Sequence, residues 1–452
     1  MSSVDELRPI ESVPCVPGSV PLLGHALALW RDPLRFFSSL QRRGDMVRVN
    51  LGTMPMYVVT TPDLVHEVTV RQAGSFEKGR FFDRLRPLAG NGLANSGGEQ
   101  HQRHRRMIQP MFSNARITGY SETMSSNAKA LADSWKPGDV IDLEPAMAGY
   151  AVETLARTLF GTDIGLPAVD AVRKHLPVLL TNLLVRAASP KLLDRLPIPA
   201  NRLFDQAAAS LRAVIDEVVA TSRAAGPADR DDLLSLLLAA QDPDSGTRLS
   251  DEAVRDELST ILFAGAETTA ATLAWTFHEL AARPDVEEDL LAEIRQVVGD
   301  GPVTAQHVPR LQGIRRVIDE VIRLHGVTLL MRRTTKTVIL GGVSLPPGTE
   351  VAFSLYALHR DPGLYENADR FDPDRWLPER QADGPGRRAY IPFGAGNRKC
   401  IGDQFVWTEA TIAIATILDR WKLVPVPGHT PKEVASAVAH ADRIPMTVTP
   451  RR

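Results

Sequence analysis

The chain has 452 residues, 44% of them hydrophobic and 23% charged, with a formal net charge of −2. That balance belongs to a globular protein with room for one large core, and it excludes a disordered chain or one drawn by bulk charge onto nucleic acid. Two cysteines are too few for a disulfide framework, and no apolar run is long enough for a membrane span. The N-terminus lacks the basic-then-apolar order of a secretion signal, so a cytoplasmic, reducing location without a membrane anchor is expected.

Residues 1–33 carry Pro14, Pro17, Gly18, Pro21 and Gly24 and read as an extended segment rather than a helix. From Met46 to Thr60, hydrophobic alternation around Gly52 predicts a hairpin. Between Ser75 and Asn95, Phe76, Phe81, Phe82, Leu85, Leu88 and Leu93 gather among glycines. His101 and Arg105 lie four apart and share a helical face within a basic run, which is either a solvated surface or an anion site. Apolar-faced helices are expected over Leu176–Val185 and Leu203–Ala220, joined through Pro190, Pro197 and Pro199.

Ser250 is a good N-cap, Asp251 and Glu252 fill a first turn, and the apolar pattern runs on to Pro284. This predicts one helix of roughly 50 Å. Its middle reads Ala264-Gly265-Ala266-Glu267-Thr268-Thr269. Glycine costs about 1 kcal/mol relative to alanine there, and a threonine hydroxyl can bond the carbonyl one turn earlier, so a local irregularity is predicted. Glu320 and Arg323, on a helix from about Pro309 to His325, are spaced to pair. A second strand-rich patch lies between Thr334 and Tyr356, turning at Gly341-Gly342 and Pro346-Pro347-Gly348. The whole is mainly α with a small β portion. No repeat or low-complexity linker divides it, so residues 1–452 are read as a single domain.

Near the C-terminus stands Phe393-Gly394-Ala395-Gly396-Asn397-Arg398-Lys399-Cys400-Ile401-Gly402. A thiolate donates strongly to heme iron, and glycines let a backbone approach a flat macrocycle. Phe393 can shield the sulfur, Arg398 can meet a carboxylate, and Gly402 leaves room. Taken singly, Cys400 is open to two other readings, a structural cysteine or a disulfide with Cys15.

The loop resembles the heme loop of the cytochrome P-450 family, and the similarity extends along the chain in the family's motif order. It is nearest in kind to soluble bacterial members, among them actinobacterial terpene oxidisers. The resemblance implies the cytochrome P-450 fold, with heme b between the long central helix and the cysteine-loop helix and Cys400 as the axial ligand to iron. It implies that Phe393, Gly394 and Gly402 shape the cofactor cradle, and that His101, Arg105, Arg332 and Arg398 meet the heme propionates. Arg333 leaves a one-residue ambiguity for Arg332. Glu267 and Thr268 match the family's catalytic acid–alcohol pair for proton delivery. Glu320 and Arg323, joined by Arg375 of Phe371-Asp372-Pro373-Asp374-Arg375-Trp376, match a structural lock on the cysteine loop. The helix pair at 176–220 corresponds to a mobile lid, although ordinary packing helices fit the residues equally.

By the same resemblance, Phe76, Phe81, Phe82, Leu85, Leu88, Phe263, Ala264, Val327, Leu329 and Leu330 line an apolar substrate pocket. A terpenoid or another compact lipid follows as the small apolar substrate. The chain departs from the family in lacking the usual proline after Arg323, reading Leu324-His325-Gly326-Val327. The expected activity is a monooxygenase that places one atom of O2 into a C–H bond. No Gly-x-Gly-x-x-Gly element or flavin domain is seen, so electrons are expected from a separate ferredoxin and ferredoxin reductase, with the enzyme a monomer. Arg103, Arg106 and Lys399 form a basic patch suited to an acidic electron carrier. Two alternatives stand beside this: a peroxide-driven fatty-acid hydroxylase, whose relatives usually lose the acid–alcohol pair, and a non-catalytic heme sensor or recruitment domain.

Overall fold

In the computed structural model, which describes residues 7–161, 168–176, 178, 179, 196, 198–224, 232–381, 384, 386 and 388–451, the chain divides into two compact units, each built from separate stretches. The first comprises Met1–Asp83, Asp319–Cys400 and Ala435–Ala439. The predicted hairpin is there: Met46–Leu51 pairs antiparallel with Met54–Val59, and Gly52 turns it at φ 62°. That left-handed φ suits a two-residue turn matching the strands' twist.

The hairpin opens a five-stranded sheet that continues through Glu350–Phe353 and Leu330–Thr334 to Phe76–Lys78. Alternate residues serve opposite faces. Tyr57, Val59, Phe76, Val351 and Phe353 share one cluster with Val338 and Leu345, while Val47, Val49, Met56, Val58 and Ala352 form another with Phe37 and Leu40. The second hairpin, Val338–Leu340 with Val343–Leu345, turns at Gly341 and Gly342, φ 56° and 74°. Arg8–Pro9 adds to its edge. The N-terminal segment is extended only in part, because Ala26–Arg31 is a helix. No proline or glycine interrupts the chain there, and the extended reading is corrected for that stretch.

The second unit comprises Arg84–Ile318, Ile401–Val434 and His440–Arg452. Its centre is the helix Asp251–Ala281, capped by Ser250 Oγ, which accepts from the Ala253 N–H at 3.2 Å. Leu143–Phe160 packs along it, and Asp403–Arg420 lies against both it and Asn114–Ser134. Residues all around Asp251–Ala281 are buried, as in a core helix. The predicted hydroxyl bond forms, Thr268 Oγ1 donating to the Ala264 carbonyl at 2.9 Å. The predicted irregularity does not, since the helix runs unbroken. A carbonyl has two lone pairs and can take the hydroxyl beside the main-chain N–H.

Gly265 also has a packing reason that the sequence hid, because a Cβ there would sit 2.8 Å from Leu155 Cδ2. Of the expected lid pair, the second helix is realised as Pro199–Ala224. The first, Leu176–Val185, falls mostly outside the described residues. The helix bearing Glu320 starts at Gln312, after a 3-10 turn at Val308–Arg310, and not at Pro309. Among the described residues, no helix is long and apolar enough to cross a membrane.

Candidate active site

In the first unit, the chain from Phe393 to Cys400 closes on itself, the Cys400 N–H donating to the Phe393 carbonyl at 2.9 Å. Gly394 and Gly396 take φ of 72° and 68°, where a side chain is strained. At Gly396 a Cβ would stand 1.9 Å from the Thr69 carbonyl oxygen. This close approach seats the loop on the backbone at Thr69. Cys400 is exposed, and neither it nor Cys15 forms a disulfide, which removes that reading.

Glu320 and Arg323 are fully buried and meet as a fork, Arg323 Nε and Nη2 each donating to one carboxylate oxygen at 2.8 Å. Two parallel charge-assisted bonds fix direction as well as distance. The remaining guanidinium hydrogens go to the carbonyls of His359, Ala368 and Arg370. Glu320 in turn accepts from the Asp372 N–H, Trp376 Nε1 and, at 3.4 Å, Arg375 Nε. His359 is pushed down to about 3, chiefly by burial and then by the Arg323 charge, so it is neutral. Its Nε2 accepts from the Ile391 N–H at 3.2 Å, linking this knot to the chain leading into the cysteine loop. The structure therefore brings together Glu320 and Arg323, read from their spacing on a helix, with Arg375, named from the family resemblance, and adds Trp376 and Asp372.

Three cations converge in the same unit. Lys78 lies directly across from Arg332 on neighbouring antiparallel strands, a like-charge placement that costs stability unless an anion offsets it. Lys78 is half-buried with its amino group 4.1 Å from the Phe82 ring centroid, and it is driven well below the usual lysine range by burial, then by Arg332 and Arg398. Arg332 is lowered to about 10 by burial and by Arg398. Arg333, the neighbouring candidate, is engaged by Glu350 at 2.7 Å and Asp83 at 2.8 Å. A group carrying two carboxylates fits this trio, and the nearby Cys400 loop offers the thiolate, so the donor set suits heme. Lys78 was missed from sequence because a single lysine among aromatics carries no signal until the strand register sets it opposite Arg332.

In the first unit, Phe81 and Phe82 meet edge to face and stay half-buried, as do Val327, Leu329 and Leu330. Phe76 is different. It is 7% exposed and belongs to the sheet's core, and Leu88 of the second unit is equally buried. Both are corrected from pocket-lining to core residues, since the strand alternation and the helix face that place them inward were invisible in the aromatic cluster alone.

In the second unit, Phe263, Glu267 and Thr268 are half-buried and Ala264 is exposed, midway along the helix, and Leu85 is half-buried. Glu267 lies within electrostatic reach of Glu144, whose carboxyl is raised mainly by burial. His101 is buried on the helix Gly98–Ile108, and Arg105 shares its face, donating from Nε to Gln109 at 3.2 Å. Arg103 and Arg106 do not form an unopposed basic patch: Arg103 pairs with Asp242 at 2.9 Å and Arg106 with Asp244 at 2.7 Å. Gly402 is the residue that precedes the helix Asp403–Arg420. On that helix Glu409 is 1% exposed and raised to about 8 by burial, with the Thr269 hydroxyl lowering it somewhat. No neighbouring cation contributes to that shift, and sequence reading had no means of distinguishing it from a surface glutamate.

The family model described as Cytochrome P-450 matches residues 14–443. A cyclooctat-9-en-7-ol 5-monooxygenase of Streptomyces melanosporofaciens is 42% identical, the match covering 96% of this chain and 95% of that protein. A pentalenene oxygenase of Streptomyces avermitilis is 38% identical over 96% of this chain and 97% of its own length. Among solved structures, a cytochrome P-450DA heme domain superposes with a TM-score of 0.86 at 29% identity, covering 97% of this chain and 98% of that one.

Proposed function

The chain belongs to the cytochrome P-450 family and is a heme-thiolate monooxygenase, and we propose that it places one oxygen atom of O2 into a C–H bond of a terpenoid, with electrons from a separate ferredoxin and its reductase. The observation that carries the substrate class is the alignment, over 96% of the chain, with relatives named for a cyclooctatenol and for pentalenene. The half-buried Phe81, Phe82, Phe263, Leu329 and Leu330 support it, as apolar side chains that their own cores leave partly uncovered.

Heme bound to a thiolate supplies an electron-rich iron at which O2 is reduced and its O–O bond cleaved. Cys400 is the residue proposed to bind the iron. Lys78, Arg332 and Arg398 are proposed for the propionates, with His101 and Arg105 carried forward from the family resemblance. Thr268 is poised for proton transfer, because its hydroxyl hydrogen rests on the Ala264 carbonyl while its oxygen keeps lone pairs to accept another. Glu267, one residue earlier, is the proposed acid that renews that proton. For the electron carrier, Lys399 is exposed, and Arg103 and Arg106 are paired with Asp242 and Asp244.

The test is reconstitution with a ferredoxin, its reductase and NADPH, followed by titration with cyclic terpene hydrocarbons and mass analysis of the products. A substrate-induced Soret shift and a hydroxylated terpene are expected. Faster oxidation of a fatty acid with hydrogen peroxide alone would favour the peroxide-driven alternative instead.

A further inference from the structure

A loop in the second unit is gripped by carboxylates of the long helix Asp251–Ala281. Asp256 Oδ2 accepts from the Asn91 N–H at 2.7 Å, and Glu257 Oε2 accepts from the Leu93 N–H at 2.9 Å. The second oxygen of Glu257 is held by His104 Nδ1 at 2.6 Å, and Glu257 is 0% exposed. Thr260 Oγ1 donates to the Ala89 carbonyl at 3.4 Å, and Asn95 Nδ2 ties the loop to itself at the Gly90 carbonyl. The glycines are shaped to this contact. A Cβ on Gly90 would fall 2.0 Å from the Asp256 carboxylate, and one on Gly92 would fall 2.3 Å from Thr260 Oγ1 and 2.5 Å from the Asp256 carbonyl oxygen.

A surface loop needs no such device to satisfy two amides, which water would serve as well. Burying two carboxylates is costly unless they are bonded, so their presence marks a position that must be held. The helix shows why. From Glu257 to Ala264 is about two turns, and to Thr268 about three, at 3.6 residues per turn. The stripe on which Ala264 is exposed and Thr268 half-buried therefore continues into the side chain that grips the loop.

We infer that Asp256 and Glu257 are positioning residues for the oxidation. They hold the loop Gly90–Ser96 over the face of the helix that presents Ala264 and Thr268, and thereby set the shape of the substrate space beside those residues. The inference rests on the reading that substrate lies next to Ala264 and Thr268. It does not depend on that substrate being a terpenoid. His104 completes the grip by fixing the Glu257 carboxylate, and the chemistry at Thr268 is left untouched.

The experiment compares the heme-loaded wild type with Glu257→Ala, Glu257→Gln and Gly92→Ala. Three readouts are taken: hydrogen exchange at the Asn91 and Leu93 amides, the spectral affinity for 1-phenylimidazole, and the product ratio with whichever substrate turns over. Glu257→Ala should speed exchange at Leu93 by about tenfold or more, the scale of losing a bond to a charged acceptor. It should weaken phenylimidazole by a comparable factor and broaden the product ratio, with the carbon-monoxide spectrum unchanged. Glu257→Gln keeps a carbonyl acceptor for Leu93 and should recover part of each effect. Should Glu257→Ala fail to fold, Gly92→Ala pushes the loop from the helix with both carboxylates in place and should move the same three readouts.

Unchanged exchange at Leu93 would overturn the grip. Faster exchange with unaltered azole affinity and product ratio would overturn its role in shaping the substrate space. If no terpene is oxidised, exchange and azole affinity still decide the matter, so the failure of the terpenoid reading is told apart from the failure of this one.

Discussion

Replacing Glu409 with glutamine removes a strongly perturbed, buried carboxyl of the second unit while keeping its shape. The carboxyl is buried on the helix Asp403–Arg420 and raised from 4.5 to about 8, burial being the main cause and the Thr269 hydroxyl a smaller opposing one. Tyr150, itself buried and raised well above the usual tyrosine range, feels the charge that Glu409 would carry. At pH 7 the folded protein therefore keeps Glu409 protonated, whereas the unfolded chain ionises it. In that window the native state binds more protons, so stability falls as pH rises from about 4.5 to about 8. At about 1.4 kcal/mol per unit, flattening as the folded group itself ionises, the loss reaches roughly 3 kcal/mol by pH 7 and roughly 4 kcal/mol by pH 8.

Glu409→Gln abolishes this one titration. Denaturant midpoints of the heme-loaded protein and the variant, taken from pH 4.5 to pH 8.5, should diverge with pH, the variant becoming the more stable by a few kcal/mol at the alkaline end. Comparing two curves cancels every other titrating group and avoids reliance on a fully two-state transition. The infrared band of a protonated carboxyl should also be present in the wild type at pH 7 and missing in the variant. Parallel stability curves, or a wild type without that band, would refute the argument that burial keeps this group neutral.

Three further outcomes follow from the geometry. Lys78→Met removes one of three crowded cations, so heme transfer to apomyoglobin should accelerate by about tenfold, the scale of one charge-assisted bond. Arg323→Lys cannot reproduce the fork or the bonds to three carbonyls; with Glu320 left buried and poorly paired, a loss of roughly 3–5 kcal/mol is expected, seen as little heme-loaded protein on purification. Thr268→Ala leaves the helix intact but deletes the hydroxyl that passes a proton, so hydrogen peroxide released per NADPH should rise severalfold and product fall, while substrate affinity holds.

Much of the candidate site is legible in the sequence, and the reason differs from residue to residue. The cysteine loop could be read because its constraints are local: Gly394 and Gly396 need left-handed backbone within a few residues of Cys400. The Glu320–Arg323 pair could be read because a spacing of three on a helix puts two side chains side by side. The hairpins and the long helix follow from turn glycines, an N-cap serine and hydrophobic period.

Tertiary structure alone decided the rest. Phe76 and Phe82 look alike in the sequence, yet the sheet register turns one into the core and leaves the other beside Lys78. Lys78 became part of a cation cluster only when strand pairing set it opposite Arg332. Gly265 looked like a weakness in a helix until Leu155 of another helix was found against it. Burial made Glu409 a neutral acid, and the folding of a distant loop onto Asp256 and Glu257 made those two ordinary carboxylates a clamp. Local sequence encodes backbone conformation and face. Desolvation, register and close approach arise between segments far apart in the chain, and no window of residues contains them.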